Sequence, residues 1–219
     1  MIGDDPLFAH AALAAFSHPW SGLASAAKVT DFGDPAVVLP LAIGIGSMFA
    51  LAGWWRGVAA WTAAIGGALA LVLFLKLRFF ACDHLLLDDH VKNPSGHTAA
   101  AAAIYGGLVT IVVRSIWDIR RWVYLCTVAI TLPFAIVIGV SRLILDLHSI
   151  AEVIAGGAIG IGGALLFVAL AGSPPRAVRM PRVVIVGLLA IAVLHGLRMP
   201  AEAAIHSIAT TLGPFWACI

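Results

Sequence analysis

The chain has 219 residues, of which 62% are hydrophobic and only 11% are charged. Soluble domains carry about 25% charged residues, so this composition excludes an ordinary soluble protein and predicts an integral membrane protein with several spans. The net charge is +2. No basic cluster is interleaved with aromatic residues, which argues against a nucleic-acid-binding surface.

The N-terminal segment, residues 6–28, is only moderately apolar and is interrupted by Ser-His-Pro. This pattern predicts an interfacial amphipathic helix rather than a span. Six apolar stretches follow, each of about 17–22 residues, which is long enough to cross about 30 Å of hydrocarbon. They are 36–53, 57–75, 97–113, 122–140, 150–171 and 183–199. The predicted fold is therefore an all-α, polytopic membrane helix bundle.

Three regions are predicted from this layout: an extracytoplasmic N-terminal segment (1–35), a six-helix membrane domain (36–199) and a short extracytoplasmic tail (200–219). Cytoplasmic loops of membrane proteins are enriched in Arg and Lys, which indicates the orientation. The loops on one side contain Arg56, Arg114, Arg120, Arg121, Arg176, Arg179 and Arg182. That side is predicted to be cytoplasmic, and in a bacterium the other, acidic side would face the periplasm from the inner membrane.

The three cysteines lie far apart in the sequence and form no CxxC pair. Cys126 lies within an apolar run, where we expect it to pack as a small hydrophobic residue. Cys82 and Cys218 can pair only if both face an oxidising compartment, and we do not expect this pair to form.

Three polar clusters lie at the outer-face ends of the predicted spans. Four positive side chains are among them: Lys76, Arg78, Lys92 and Arg142. The string PSGH opens the third span, where the free N–H groups of a helix N-terminus favour an anion. Gly96 has no Cβ, so an anion can approach its backbone closely. Together these features predict a phosphate-binding pocket at the membrane surface.

Two histidines supply the reactive groups of this pocket, since imidazole suits proton transfer near neutral pH. His97 opens the third span, and His148 precedes the fifth. His148 and Glu152 are four residues apart, so on a helix they share a face. The carboxylate can then accept a hydrogen bond from one ring nitrogen and leave the other free as a nucleophile. A metal site is the competing use of these rings, and we disfavour it because the neighbouring cations would repel a metal ion.

The strings PSGH and SR-x5-H-x3-E resemble the second and third signature motifs of the type 2 phosphatidic acid phosphatase (PAP2) superfamily, over about residues 76–157. Membrane members of that family include lipid phosphate phosphatases. The resemblance implies a reaction without metal or cofactor that proceeds through a phosphohistidine. It implies His148 as the nucleophile, Glu152 as its orienting carboxylate and His97 as the general acid. The residues implied to hold the phosphoryl oxygens are Lys76, Ser95, Gly96 and Arg142.

Two departures from the family pattern leave alternatives open. The first motif, K-x6-R-P, keeps only Lys76, because Asp83 stands where Arg is usual. The candidate replacement cations are Arg78 and Lys92. Glu152 stands where Asp is usual, and we expect one additional methylene to have a small effect.

The resemblance implies an integral membrane lipid phosphate or diphosphate phosphatase whose partners are its lipid phosphate substrate and membrane lipids. Candidate substrates are undecaprenyl pyrophosphate, phosphatidylglycerophosphate, phosphatidic acid and lipid A phosphate. We favour an isoprenoid or other single-head lipid phosphate, because the sequence has no periplasmic domain to hold a large headgroup. The alternatives are a lipid-linked phosphotransferase of the same superfamily and a non-catalytic protein that binds a lipid phosphate. The sequence leaves the oligomeric state open.

Overall fold

The computed structural model describes residues 19–82, 93–116, 119–175, 178 and 180–212. Over these residues the regular secondary structure is helical, which confirms the predicted all-α class. The helices are α1 (Pro19–Thr30), α2 (Pro35–Leu51), α3 (Trp55–Trp61), α4 (Gly67–Cys82), α5 (Gly96–Ile116), α6 (Arg120–Ile144), α7 (Ile150–Ala171), α8 (Met180–Leu194) and α9 (Ala201–Leu212). A 3-10 turn, Asp31–Gly33, links α1 to α2, and a π-helical turn, Thr62–Gly66, links α3 to α4.

Among the described residues, five segments are long and apolar enough to cross a membrane. They are Gly22–Leu51, Trp55–Cys82, Gly96–Ile116, Arg120–Ile144 and Ile150–Ala171. The sixth predicted span, 183–199, corresponds to a shorter apolar helix. The 15 residues of α8 rise about 22 Å, which is less than the hydrocarbon thickness of about 30 Å. Six crossings therefore stay a prediction.

The two ends of the chain are described in part. Residues 1–18 of the predicted N-terminal segment lie outside the described residues. Most of α1 belongs to the apolar segment Gly22–Leu51, which is long enough to cross a membrane, so the interfacial helix stays a prediction. The region predicted as a tail contains α9, which packs against α4. Cys82 is disulfide-bonded, which differs from the expectation from the sequence. Cys126 is a free thiol, and Cys218 lies outside the described residues.

The alanine-rich helix α5 is the most deeply buried of the five long segments, and it packs against α2, α4, α6 and α7. Its approach to α7 depends on glycines. A Cβ atom at Gly156 would overlap the carbonyl oxygen of Ser95, and a Cβ atom at Gly160 would overlap that of Ala99. Small residues let transmembrane helices approach closely. The glycine face of α7 thus fixes the separation of the α5 and α7 N-termini, where both predicted histidines lie.

Arginines from three elements close the opposite end of the bundle. Each donates a side-chain hydrogen bond to a carbonyl in the last turn of α7: Arg56 to Leu170 at 2.9 Å, Arg114 to Val168 at 2.7 Å and Arg120 to Ala169 at 3.5 Å. Positive charge at a helix C-terminus is favoured by the helix dipole and satisfies carbonyls that lack a partner in the helix. These arginines therefore mark the end of the bundle that lies farthest from the two histidines.

Gly156→Ala should reduce both stability and activity, because the added methyl group collides with the backbone of the turn before α5. Overpacking of this kind costs about 1–3 kcal/mol. The matched control is Gly162→Ala on the same helix, where a Cβ atom meets nothing within 4 Å. Thermal unfolding in detergent should show a lower Tm for Gly156→Ala alone. Equal Tm values for the two variants would contradict the proposed close contact.

Candidate active site

The turn between α6 and α7 sets the spacing of Arg142 and His148. Helix α6 ends in a Schellman motif, in which Leu147 N donates to Arg142 O at 3.1 Å and Asp146 N donates to Leu143 O at 3.0 Å. Asp146 has φ 54°, the left-handed conformation that this motif needs. Asp tolerates that conformation better than most residues other than Gly. The spacing SR-x5-H therefore corresponds to one helix end and the start of the next helix.

Glu152 holds two turns of the chain together. Its Oε2 accepts hydrogen bonds from His148 Nδ1 at 3.1 Å and from Ser149 N at 3.0 Å, and its Oε1 accepts from Asn93 N at 2.9 Å. Ser149 Oγ accepts in return from Glu152 N at 3.3 Å, which completes a capping box at the start of α7. The carbonyl of Glu152 also accepts from Ser95 N at 2.9 Å. One residue thus joins the α7 N-terminus to the turn before α5.

The ring of His148 is buried and is held by Glu152 through Nδ1. Its side chain is only 4% exposed. Burial lowers the pKa of His148, the hydrogen bond to Glu152 raises it, and the charges of Lys76 and Arg142 lower it, with a net effect below the ordinary value. The ring is therefore neutral near pH 7. Since Nδ1 donates to Glu152, the lone pair on Nε2 is left for attack.

Two buried cations lie beside the histidine. Lys76 is 2% exposed; its Nζ donates to Asn93 Oδ1 at 2.9 Å, and its side chain passes over the backbone of Gly96, where a Cβ atom would lie 3.2 Å from Lys76 Cε. Arg142 is 6% exposed and donates from Nη1 to Thr30 Oγ1 at 3.4 Å, while its Nε has no hydrogen-bond partner among the described residues. Buried charges are costly unless they are paired. Two such cations at a helix N-terminus form a site suited to an anion.

His97 lies in the first turn of α5 and is in contact with a carboxylate that the sequence analysis did not assign to the site. His97 Nε2 is 3.5 Å from Asp34 Oδ2. Asp34 is buried and caps α2, because its Oδ1 accepts from Ala36 N at 2.8 Å, and it also accepts from Met199 N at 3.1 Å. The Asp-Pro pair at 34–35 is a recognisable helix start. The contact with His97 is non-local and has no such signal.

A second unassigned carboxylate, Glu202, enters the site from the first turn of α9. Its Oε1 forms an ion pair with Lys76 Nζ. Its Oε2 is buried and has no hydrogen-bond partner among the described residues. Glu202 also acts electrostatically on Arg142 and His97. The sequence analysis placed this residue in the tail and gave it no role.

The structure brings together most of the residues predicted for the site. These are Lys76, Ser95, Gly96, His97, Arg142, His148 and Glu152. Ser95 is engaged structurally, since its N–H donates to Glu152 O at 2.9 Å and its Oγ lies 2.9 Å from Thr98 Oγ1 and caps α5. Its role in phosphate binding stays a prediction.

Of the two candidate replacement cations, Arg78 is among the described residues and Lys92 is not. Arg78 is half-buried and follows Lys76 by two residues, and residues two apart do not share a helix face. Lys92 lies outside the described residues. The identity of the replacement cation therefore stays a prediction.

An apolar cavity of about 280 Å³ opens beside this cluster. Its walls come from α2, α4, α5 and α9 and include Val38, Leu69, Leu73, Ala100 and Ile205. Its polar side is formed by Lys76, His97 and Glu202. Pockets of this composition, mostly apolar with a few convergent polar groups, are typical of ligand sites.

Comparisons with known proteins agree with this arrangement. Residues 79–173 match the family model of the PAP2 superfamily. The match supports membership in the PAP2 superfamily. It confirms the resemblance drawn from the two motifs, and it includes His97, Arg142, His148 and Glu152 while Lys76 and Glu202 fall outside it. PAP2 superfamily members are generally phosphatases, so the match indicates phosphatase-type activity.

One curated protein is similar over most of its length. It is an uncharacterized 22.5 kDa protein in the cps region of Klebsiella pneumoniae, 28% identical over 201 residues, which cover 85% of this chain and 90% of that protein. No solved structure matches this chain.

The two roles of Glu152 can be separated by substitution. Glu152→Gln keeps one acceptor oxygen for the capping box but sets an NH2 donor against the N–H of Asn93 and loses the charge that orients His148. The turnover rate should therefore fall by about 10²-fold or more, while Tm should fall less than in Glu152→Ala. Glu152→Ala should lose activity and also about 0.5–2 kcal/mol of stability. Steady-state kinetics and thermal unfolding would check both. Full activity of Glu152→Gln would contradict the orienting role.

Proposed function

We propose that this protein is an integral membrane phosphatase that hydrolyses a lipid phosphate or diphosphate through a phosphohistidine at His148. The observation that carries the proposal is the placement of a neutral, Glu152-oriented imidazole near two buried cations beside an apolar cavity. The polar and apolar parts of this pocket match the two parts of a lipid phosphate. The PAP2 superfamily match supports the same reaction class.

The proposed reaction has two steps. His148 Nε2 attacks phosphorus, the bond between phosphorus and the lipid oxygen breaks, and His97 protonates the departing oxygen. Lys76 and Arg142 neutralise the charge on the equatorial phosphoryl oxygens. A water molecule, which gives its proton to His97, then attacks the phosphohistidine, releases inorganic phosphate and restores His148. A monophosphate leaves a lipid alcohol, and a diphosphate leaves a lipid monophosphate.

We favour a substrate with a single phosphate or diphosphate head, such as an isoprenoid lipid phosphate. The apolar cavity adjoins Lys76 and His97 directly, so it can hold the hydrocarbon next to the phosphate. Among the described residues, the helices around this pocket belong to the bundle itself, and no added domain covers it. Affinity for a large headgroup would need such a covering surface.

We also propose that the protein lies in a bacterial inner membrane with the active site facing the periplasm. Two features support this orientation. Arg56, Arg114 and Arg120 gather at the end remote from the site, as expected for a cytoplasmic end. Cys82, the last residue of α4 and six positions after Lys76, is disulfide-bonded, and disulfides persist in oxidising compartments such as the periplasm.

The second candidate is a lipid-linked phosphotransferase that uses the same histidines. It is favoured by the incomplete first motif, in which Asp83 stands where the family has Arg. In that reaction an alcohol replaces water in the second step. A non-catalytic binder is less well supported, because the hydrogen bond between His148 and Glu152 is intact.

Phosphate release by the purified protein in detergent, with EDTA present, tests the proposed function. At least one lipid on a panel of mono- and diphosphates should release phosphate, and His148→Ala should abolish the release. The control is His195→Ala, since His195 is exposed and contacts Phe32 rather than the site. Release that survives His148→Ala would overturn the assignment. Phosphoryl transfer that appears only with an added alcohol would identify the transferase instead.

The role of His97 as general acid predicts a dependence on the leaving group. His97→Gln should slow hydrolysis of a lipid phosphate by about 10²–10⁴-fold, because the alkoxide needs a proton as it leaves. Release of 4-nitrophenolate in the first turnover, before the phosphohistidine is hydrolysed, should be reduced much less, because this leaving group is stable without a proton. Rapid-quench measurement of the two substrates would check this difference. An equal loss for both would show that His97 does not act by protonating the leaving group.

A further inference from the structure

The carboxylate of Glu202 lies where the substrate phosphate is expected. It forms an ion pair with Lys76, a buried cation proposed to bind phosphate, and it acts electrostatically on Arg142 and His97. Its second oxygen, Oε2, is buried without a partner among the described residues. A carboxylate in such a position offers the pocket the same kind of ligand as a phosphate oxygen. The anion site thus has an internal ligand.

We propose that Glu202 determines substrate specificity by competing with phosphate for Lys76, so that a substrate must displace it to bind. This inference rests on the proposed function only in taking phosphate as the ligand of the pocket. A bound phosphate brings more negative charge and more acceptor oxygens than one carboxylate. A phosphate can therefore displace the carboxylate. The apparent Kd of any substrate is its intrinsic Kd divided by the fraction of time that Glu202 leaves Lys76 free.

The backbone just before Glu202 is anchored, whereas the side chain of Glu202 can move. Arg198 donates to both carboxylate oxygens of Asp31, from Nε at 2.8 Å and from Nη2 at 3.4 Å. Met199 N donates to Asp34 Oδ1 at 3.1 Å. These contacts hold the chain just before α9 against the turn that leads into α2. The side chain of Glu202, which is 41% exposed, can swing away from Lys76 while that anchor stays in place.

Helix α9 also forms part of the apolar cavity, through Ala201 and Ile205 on either side of Glu202. A lipid substrate therefore contacts α9 with its hydrocarbon while its phosphate takes the place of the carboxylate. A soluble phosphate ester supplies the charge but not the hydrocarbon contact. The competition by Glu202 lowers the affinity for soluble esters and for lipids by the same factor. Lipids regain affinity from apolar burial, so they still bind at concentrations at which soluble esters and free phosphate do not.

The test is Glu202→Gln, which keeps the shape of the side chain and removes its charge. Calorimetric titration of the full-length protein with inorganic orthovanadate and with phosphate should give a Kd about tenfold lower than in the unmodified protein, as expected if the carboxylate occupies the site about nine-tenths of the time. Ala203→Gln is the matched control, because it places the same side chain at the neighbouring exposed position of α9. Its Kd should not change.

Kinetics separate competition from chemistry. In Glu202→Gln the KM for 4-nitrophenyl phosphate and the KM for a lipid phosphate should both fall by about the same factor as the Kd, and kcat should not decrease. An unchanged Kd in Glu202→Gln would overturn the proposal. A lower kcat with unchanged KM would also overturn it, because the carboxylate would then act in the reaction itself.

A second variant and a thermal-shift measurement test the same competition. If Lys76 without its partner destabilises the fold, Glu202→Asp offers a milder change, and its Kd should lie between those of the other two proteins. Phosphate should also raise the Tm of Glu202→Gln more than that of the unmodified protein. The binding experiment needs no turnover, so a protein that binds phosphate but hydrolyses no lipid would refute the proposed function and leave the competition by Glu202 to be judged on Kd alone.

Discussion

The site depends above all on the hydrogen bonds that converge on Glu152. Its carboxylate accepts from His148, from the backbone of Ser149 and from the backbone of Asn93. A side chain that accepts three hydrogen bonds from two turns fixes the turns relative to each other and keeps its charge. The same contacts orient the imidazole. The residue that orients His148, the proposed nucleophile, is thus also the residue that joins the two turns of the site.

The second constraint is the burial of positive charge in a bundle made largely of apolar residues. Lys76 and Arg142 are both nearly inaccessible, and such cations need partners. Asn93 and Thr30 provide neutral acceptors, and Glu202 provides the charge. This arrangement stabilises the empty pocket, but it also leaves a pair that a phosphate can replace. The structural need for a counter-ion and the proposed selectivity for lipid phosphates therefore have the same origin.

Much of this could be read from the sequence because the signals are local. Low charge and long apolar runs predicted the helices, and PSGH with SR-x5-H-x3-E predicted the histidines. Two further local signals in the sequence mark helix ends. Ser149-x-x-Glu152 is a capping box, and Gly196, which has φ 89°, marks the end of α8 as glycines often do after a helix. With that glycine, the predicted span 183–199 shortens to a helix that ends at Leu194.

The missing parts of the site could not be found in this way because they are non-local. Glu202 is 126 residues from Lys76 in the chain, and it lies in a segment whose composition indicates only a tail. Asp34 reads from sequence as a helix cap, and its contact with His97 depends on how α2 and α5 pack. The helices pack through close contacts such as that of Gly156 with the carbonyl of Ser95. No sequence motif encodes which distant carboxylates such packing brings to the histidines and Lys76.

His148 is the residue proposed to carry the phosphoryl group. The most direct test is to mix the protein with a ³²P-labelled lipid phosphate, quench within milliseconds in alkali and map the label by mass spectrometry. An acid-labile, alkali-stable label is expected on the peptide that contains His148, and it should be absent from His148→Ala. Label on another residue, or rapid release of phosphate with no labelled protein at any time, would contradict it.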